Sequence, residues 1–252
     1  MAKFNYHSEH NPLEPPEYLI LKDKGLIYLN ISKAGCTSIK TLIARSYSVS
    51  FDETITSIHS TDFQKKNVVF GELQEEQKRY FKFTFVRNPF SRLASCYRER
   101  IILGSIYYPS ATGYFQDTYI YYKQYPLAMG MPFEDFVMMI AKIPDSLADR
   151  HFKSQSSTIY DLNGRKRVDF IGKIEEAARD WPLIAKRFGF DTVLAQLNTT
   201  YSTKEHPKKK WDYRSLYTPF LLDKVYHRYK QDIELFGYEA EYQILKQWCK
   251  EK

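Results

Sequence analysis

The chain has 252 residues, 43% of them hydrophobic, and a formal net charge of +7 from 37 Lys and Arg against 30 Asp and Glu. That length and apolar content exclude a disordered chain and suit one α/β domain over residues 1–252. The basic balance points to an anionic partner: nucleic acid, a membrane surface, a polyanionic sugar or a multiply phosphorylated nucleotide. Cys36, Cys96 and Cys249 form no CxxC pair, which argues against a disulfide framework and a zinc site. With a polar N-terminus and no run of about 20 apolar residues, the chain is expected in the cytoplasm, free or held peripherally at a membrane by a partner.

Residues 1–20, with Pro12, Pro15 and Pro16, read as an extended N-terminal arm. Leu26 to Leu29 is a short apolar run that predicts a buried strand. Asn30 to Cys36 reads as a loop, Thr37 and Ser38 as caps, and Ile39, Leu42, Ile43 and Tyr47 as the apolar face of a helix. The pattern then repeats. Phe81 to Val86 predicts a strand, Asn88-Pro89 a cap followed by proline at the first helical position, and Phe90, Leu93, Ala94 and Tyr97 a helix face.

Residues 101–130 show no clean period and read as a long tyrosine-rich loop, a candidate lining for a sugar site. Phe133 to Ala141 reads as helical, Val168 to Gly172 as a third strand, and Glu175 to Phe188 as a helix stopped by Gly189. A lysine-rich exposed loop over 204–210 precedes helical spacing in Arg214 to Tyr229 and in Tyr242 to Trp248. Alternating strands and helices predict an α/β fold: a central, mostly parallel sheet flanked by helices.

Two strand-to-helix junctions carry candidate chemistry. In the first, Ser32-Lys33-Ala34-Gly35-Cys36-Thr37-Ser38, backbone N–H groups and the helix dipole favour an anion. Gly35 allows close approach, Lys33 adds a mobile charge, and Thr37 and Ser38 add hydroxyls. The lysine precedes the glycine, so this is not the G-x-x-x-x-G-K-[ST] triphosphate loop, and no magnesium ligand can be assigned. An ordinary capped helix with a chance lysine would look the same. In the second, Arg87 can fork onto a phosphate, and Ser95 follows eight positions later, about two helical turns on. A carboxylate partner for Arg87 and a merely buried Ser95 are the alternative. Two separate anion sites suit a nucleoside with phosphate at both ends better than a triphosphate.

Asn30 to Ser38 and Phe85 to Arg98 resemble the 5′-phosphosulfate loop and the 3′-phosphate motif of the Golgi carbohydrate sulfotransferases, especially the chondroitin 4-sulfotransferase group. Asp149-Arg150-His151-Phe152, Val168 to Glu175 and Tyr229 to Tyr238 match further segments, so the resemblance runs through roughly residues 25–240 in order. It departs from the Golgi members in lacking a membrane anchor and the cysteine pairs of a lumenal domain, and looks like a bacterial or otherwise cytoplasmic relative.

The resemblance implies a P-loop-like sulfotransferase fold. It implies transfer of a sulfuryl group from 3′-phosphoadenosine 5′-phosphosulfate (PAPS), without a metal, to a hydroxyl of a carbohydrate or glycolipid acceptor. Lys33 through Ser38 would bind the 5′ end, Lys33 stabilising the leaving phosphate; Arg87 and Ser95 would bind the 3′-phosphate, with Asn198 near the nucleotide or acceptor. The base would be His59 first, Glu72 second and His151 third. The competing readings are a small-molecule kinase, disfavoured by the missing G-K-[ST], and a basic module for nucleic acid or sulfated polysaccharide. Scattered charges and the lack of a nucleic-acid motif disfavour the second.

Overall fold

The computed structural model describes residues 15–49, 58, 61–102, 127, 130–194 and 211–251. Two compact units can be distinguished, one from Pro15–Arg87 with Gln155–Trp211, the other including Asn88–Ser154 and Asp212–Lys252.

The first unit holds a five-stranded sheet in the order β3-β1-β2-β4-β5. Its strands are β1 (Glu17–Leu21), β2 (Leu26–Leu29), β3 (Val68–Phe70), β4 (Phe81–Val86) and β5 (Phe170–Lys173). β2, β4 and β5 run parallel, and β1 pairs antiparallel with both β2 and β3. The sheet is therefore mixed: the β2-β4-β5 part is parallel, as expected, and β1 pairs antiparallel along both of its edges. The reading of residues 1–20 as an extended arm does not hold for Glu17 to Ile20, which form a paired strand; residues 1–14 lie outside the described residues. The five residues of β1 are all buried, with Leu19 fully so, and burial of that run outweighs the signal of the two prolines just before it.

One sheet face, Leu19, Leu21, Leu26, Tyr28, Phe83 and Phe85, packs against α1 (Cys36–Ser46) and α6 (Ala177–Phe188). Ile39, Leu42 and Ile43 come from α1, and Trp181, Ile184 and Ala185 from α6. Trp181 lies 6.3 Å, centroid to centroid, from both Phe83 and Phe85. Gly172 on β5 makes room for this cluster, since a Cβ there would stand 2.5 Å from Phe85 Cε1. The opposite face is buried too, with Ile27, Leu29 and Val86 at 0% exposure. Burial on both faces explains why β2 reads as a continuous apolar run. Within the core, Thr84 Oγ1 donates to Leu29 O at 2.8 Å, and Lys40 of α1 is ion-paired with Glu17 of β1. Removing either partner of so buried a pair costs about 3–5 kcal/mol.

This unit also contains α2 (Asp62–Asn67), capped by Thr61, and the short α5 (Gln155–Ile159). Gly189, at φ 71°, ends α6 as its sequence suggests.

The second unit is helical. It contains α3 (Pro89–Tyr97), a π-helical turn over Arg98–Ile102, α4 (Phe133–Ile140), α7 (Pro219–Arg228), α8 (Lys230–Phe236) and α9 (Glu239–Lys250). Asn88 caps α3 as expected, its Oδ1 accepting from the N–H groups of Phe90 and Ser91 at 2.9 and 3.3 Å. The core here is aromatic: Phe90 stacks on Tyr242, and Tyr97 and Tyr217 each meet Phe133 edge to face. Tyr217 Oη donates to Phe90 O at 2.8 Å, so the buried phenol is satisfied. Among the described residues, no helix is long and apolar enough to cross a membrane.

Candidate active site

β2 ends at Leu29, and the chain turns through Asn30 to Gly35 into α1. The turn is strained. Lys33 sits at φ 68°, in the left-handed region, and Gly35 at φ 78°. For a lysine this conformation costs about 1–2 kcal/mol. Such an outlier persists when surrounding structure holds it, and often marks a functional turn. Gly35 is required twice over, because a Cβ there would fall 2.4 Å from Ile174 Cδ1.

Gly35 is itself the N-cap of α1, without a side-chain cap. This corrects the assignment of Thr37 and Ser38 as caps: both lie inside the first turn, buried at 7% exposure. The first intrahelical bond is Ile39 N–H to Gly35 O at 3.1 Å. The N–H groups of Cys36, Thr37 and Ser38 precede that bond, in the first turn of the helix. No acidic side chain occupies the first turn, so none offsets the positive end of the dipole there. Backbone donors, dipole and the Lys33 charge make this turn chemically fit for a tetrahedral anion.

Arg87 follows the last residue of β4, the parallel neighbour of β2. Its guanidinium Nη1 donates to Lys33 O at 3.1 Å. Two residues distant in sequence, each picked out as an anion ligand, are thus brought together. The backbone of Arg87 is held by Gln155, whose Oε1 accepts from Arg87 N–H at 2.9 Å and whose Nε2 donates to Arg87 O at 2.8 Å. Gln155 is fully buried.

The other nominated residues stand as follows. Ser95 is on α3, half-buried. Glu72 is exposed beside Gly71 rather than desolvated as a catalytic glutamate must be, which weakens its candidacy. His59 and Asn198, most of the tyrosine-rich loop and the lysine run of 204–210 lie outside the described residues.

His151 is 13% exposed at its side chain and fully engaged. Its Nδ1 meets Asp149 Oδ1 at 2.6 Å, and its Nε2 meets Arg100 Nη2 at 2.6 Å. A guanidinium can only donate, so Nε2 is the acceptor and Nδ1–H the donor to Asp149. Burial, then the Arg100 charge, press the imidazole down to about 3, against the pull of Asp149. Burial alone would raise the Asp149 carboxyl, but His151 and then Arg100 outweigh it and hold it below the ordinary carboxylate range. The lone pair that a base would use is thus taken by Arg100, which corrects the reading of His151 as an available base.

Two residues were missed by sequence reasoning. Arg92, 3% exposed, donates to Lys153 O at 2.8 Å and Arg150 O at 3.0 Å, and so shapes the segment carrying His151. It stands opposite the face formed by Phe90, Leu93, Ala94 and Tyr97, so its burial left no mark in the apolar periodicity. Gln155, 68 positions from Arg87, leaves no local signal. Among the described residues, no group of His, Cys, Asp or Glu is placed to hold a metal ion.

The chain is 27% identical over 260 residues to carbohydrate sulfotransferase 12 of Xenopus laevis, covering 88% of this chain and 60% of that protein. It is 24% identical over 243 residues to carbohydrate sulfotransferase 11 of Rattus norvegicus, covering 91% and 69%. It is 26% identical over 180 residues to carbohydrate sulfotransferase 10 of Homo sapiens, covering 67% and 50%. The chain thus spans between half and about two thirds of the length of these relatives. No solved structure matches it significantly. The model of the sulfotransferase family matches residues 16–239, a span containing both strand-to-helix junctions. The chain belongs to the sulfotransferase family.

Proposed function

We propose that the chain transfers a sulfuryl group from PAPS to a hydroxyl of a carbohydrate acceptor. The observation that carries this reading is the 3.1 Å bond from Arg87 Nη1 to Lys33 O, which holds the Arg87 guanidinium, at the end of one parallel strand, against the turn that carries Lys33 after its neighbour. A nucleoside with a 5′-phosphosulfate and a 3′-phosphate offers one anion to each. The names of the relatives, all carbohydrate sulfotransferases, support the acceptor class.

In the reaction, the acceptor oxygen forms a bond to sulfur as the bond from sulfur to the bridging phosphate oxygen breaks in line. Adenosine 3′,5′-bisphosphate leaves. Lys33 and the N–H groups at the start of α1 stabilise the charge growing on the departing oxygen. Arg87 fixes the 3′-phosphate and with it the register of the donor. The acceptor proton passes to a base, for which His59 is the first candidate, since Glu72 is exposed and His151 is engaged.

Thermal shift with adenosine 3′,5′-bisphosphate and with ATP, followed by transfer of radiolabelled sulfate from PAPS onto a panel of glycans, tests the proposal. The bisphosphate should raise the melting temperature, ATP should not, and label should reach a glycan hydroxyl. Stabilisation by ATP without stabilisation by the bisphosphate would instead support a kinase.

A further inference from the structure

We infer that Gln155 is a positioning residue for the donor nucleotide, acting through Arg87; this rests on the reading of Arg87 as the ligand of the 3′-phosphate. Pairing of β4 with β5 ends at Val86↔Lys173, so Arg87 is the first residue beyond that ladder. The Gln155 amide continues the pairing with one accepted and one donated bond, 2.9 and 2.8 Å. Both directions are forced, since a backbone N–H can only donate and a carbonyl can only accept. At 0% exposure, Gln155 meets no competing water.

The consequence reaches the side chain. With the Arg87 backbone clamped, the guanidinium approaches Lys33 O from a fixed origin. That carbonyl belongs to the residue held at φ 68°. Gln155, Arg87 and Lys33 thus form one relay that sets the spacing between the two anion-binding points. A ligand with phosphate at one end needs only one point; a ligand with phosphate at both ends needs the spacing. Loss of Gln155 should therefore tell selectively against the doubly phosphorylated nucleotide.

Calorimetric binding of adenosine 3′,5′-bisphosphate and of 5′-AMP to the wild type, Gln155→Met and Arg87→Ala separates the possibilities. In the wild type, charge-assisted bonds to the 3′-phosphate should give the bisphosphate an advantage of about tenfold or more. Gln155→Met should cut that advantage to about threefold or less, with 5′-AMP affinity changed by less than about twofold. Arg87→Ala should abolish it.

Equal binding of both nucleotides by the wild type would overturn the reading of Arg87 itself. An advantage that vanishes in Arg87→Ala but survives in Gln155→Met would overturn the role of Gln155 alone. If Gln155→Met does not fold, Gln155→Glu, which keeps the bond from Arg87 N–H, replaces it. Amide exchange in the wild type gives a check without a variant: Arg87 N–H should be protected more by the bisphosphate than by 5′-AMP, and equal protection would refute the inference.

Discussion

Replacing Gly35 with alanine should damage the first turn in two ways that can be measured apart. The new Cβ would lie 2.4 Å from Ile174 Cδ1 and 2.9 Å from its Cγ1. Overpacking of this kind costs about 1–3 kcal/mol. The residue would also have to hold φ 78°, which adds about 1–2 kcal/mol for any side chain with a Cβ. The sum is a loss of about 2–5 kcal/mol in unfolding free energy, read by urea denaturation. Ile174→Ala removes both offending atoms and leaves Cβ at 4.0 Å, an ordinary contact. In the double variant the clash should vanish, so the two substitutions should be less destabilising together than their separate costs added, by about 1–3 kcal/mol. The backbone part should persist. A Gly35→Ala variant within about 0.5 kcal/mol of the wild type, or strict additivity with Ile174→Ala, would refute the reasoning.

Lys33 should show opposite effects on stability and activity. Lys33→Gly relieves the left-handed strain and should stabilise by about 1 kcal/mol or less, while sulfate transfer falls about 10²- to 10³-fold. A parallel loss of both in melting and turnover assays would contradict this. His151 remains neutral in the fold to about pH 3 but takes a proton near its ordinary 6.5 when unfolded. The unfolded chain then binds more protons across that window, so stability should fall as pH is lowered from about 6.5 towards 3. His151→Gln should flatten that slope in acid denaturation, and an unchanged slope would count against the buried, neutral imidazole. His59→Ala should cut turnover about 10²- to 10⁴-fold with bisphosphate affinity unchanged, as a base would. Unchanged turnover would remove His59 from the reaction.

How much of this was legible follows from the range of each interaction. The cap at Asn88, the stop at Gly189, the apolar run of β2 and the aromatic and β-branched content of β4 are local, and their residues announced them. β1 was hidden because Pro15 and Pro16 read as loop, whereas its stability comes from pairing with β2 and β3. β3 is three residues long and partly exposed, too short to show a period. Thr37 and Ser38 have the chemistry of caps, but Gly35 takes that position because the left-handed turn requires it.

The candidate site divides the same way. Lys33, Gly35 and Arg87 stand at strand-to-helix junctions, where chemistry and spacing are local. The bonds that orient them are not. Gln155 reaches Arg87 across 68 positions. Arg100 captures His151 across 51 positions, and so turns a candidate base into a buried acceptor.

Equilibrium binding of 5′-AMP and 3′-AMP to the wild type, Lys33→Ala and Arg87→Ala tests the two-ended grip most directly. Loss of the lysine should weaken 5′-AMP and spare 3′-AMP, and loss of the arginine should do the reverse. Equal weakening of both nucleotides by each substitution, or none by either, would contradict it.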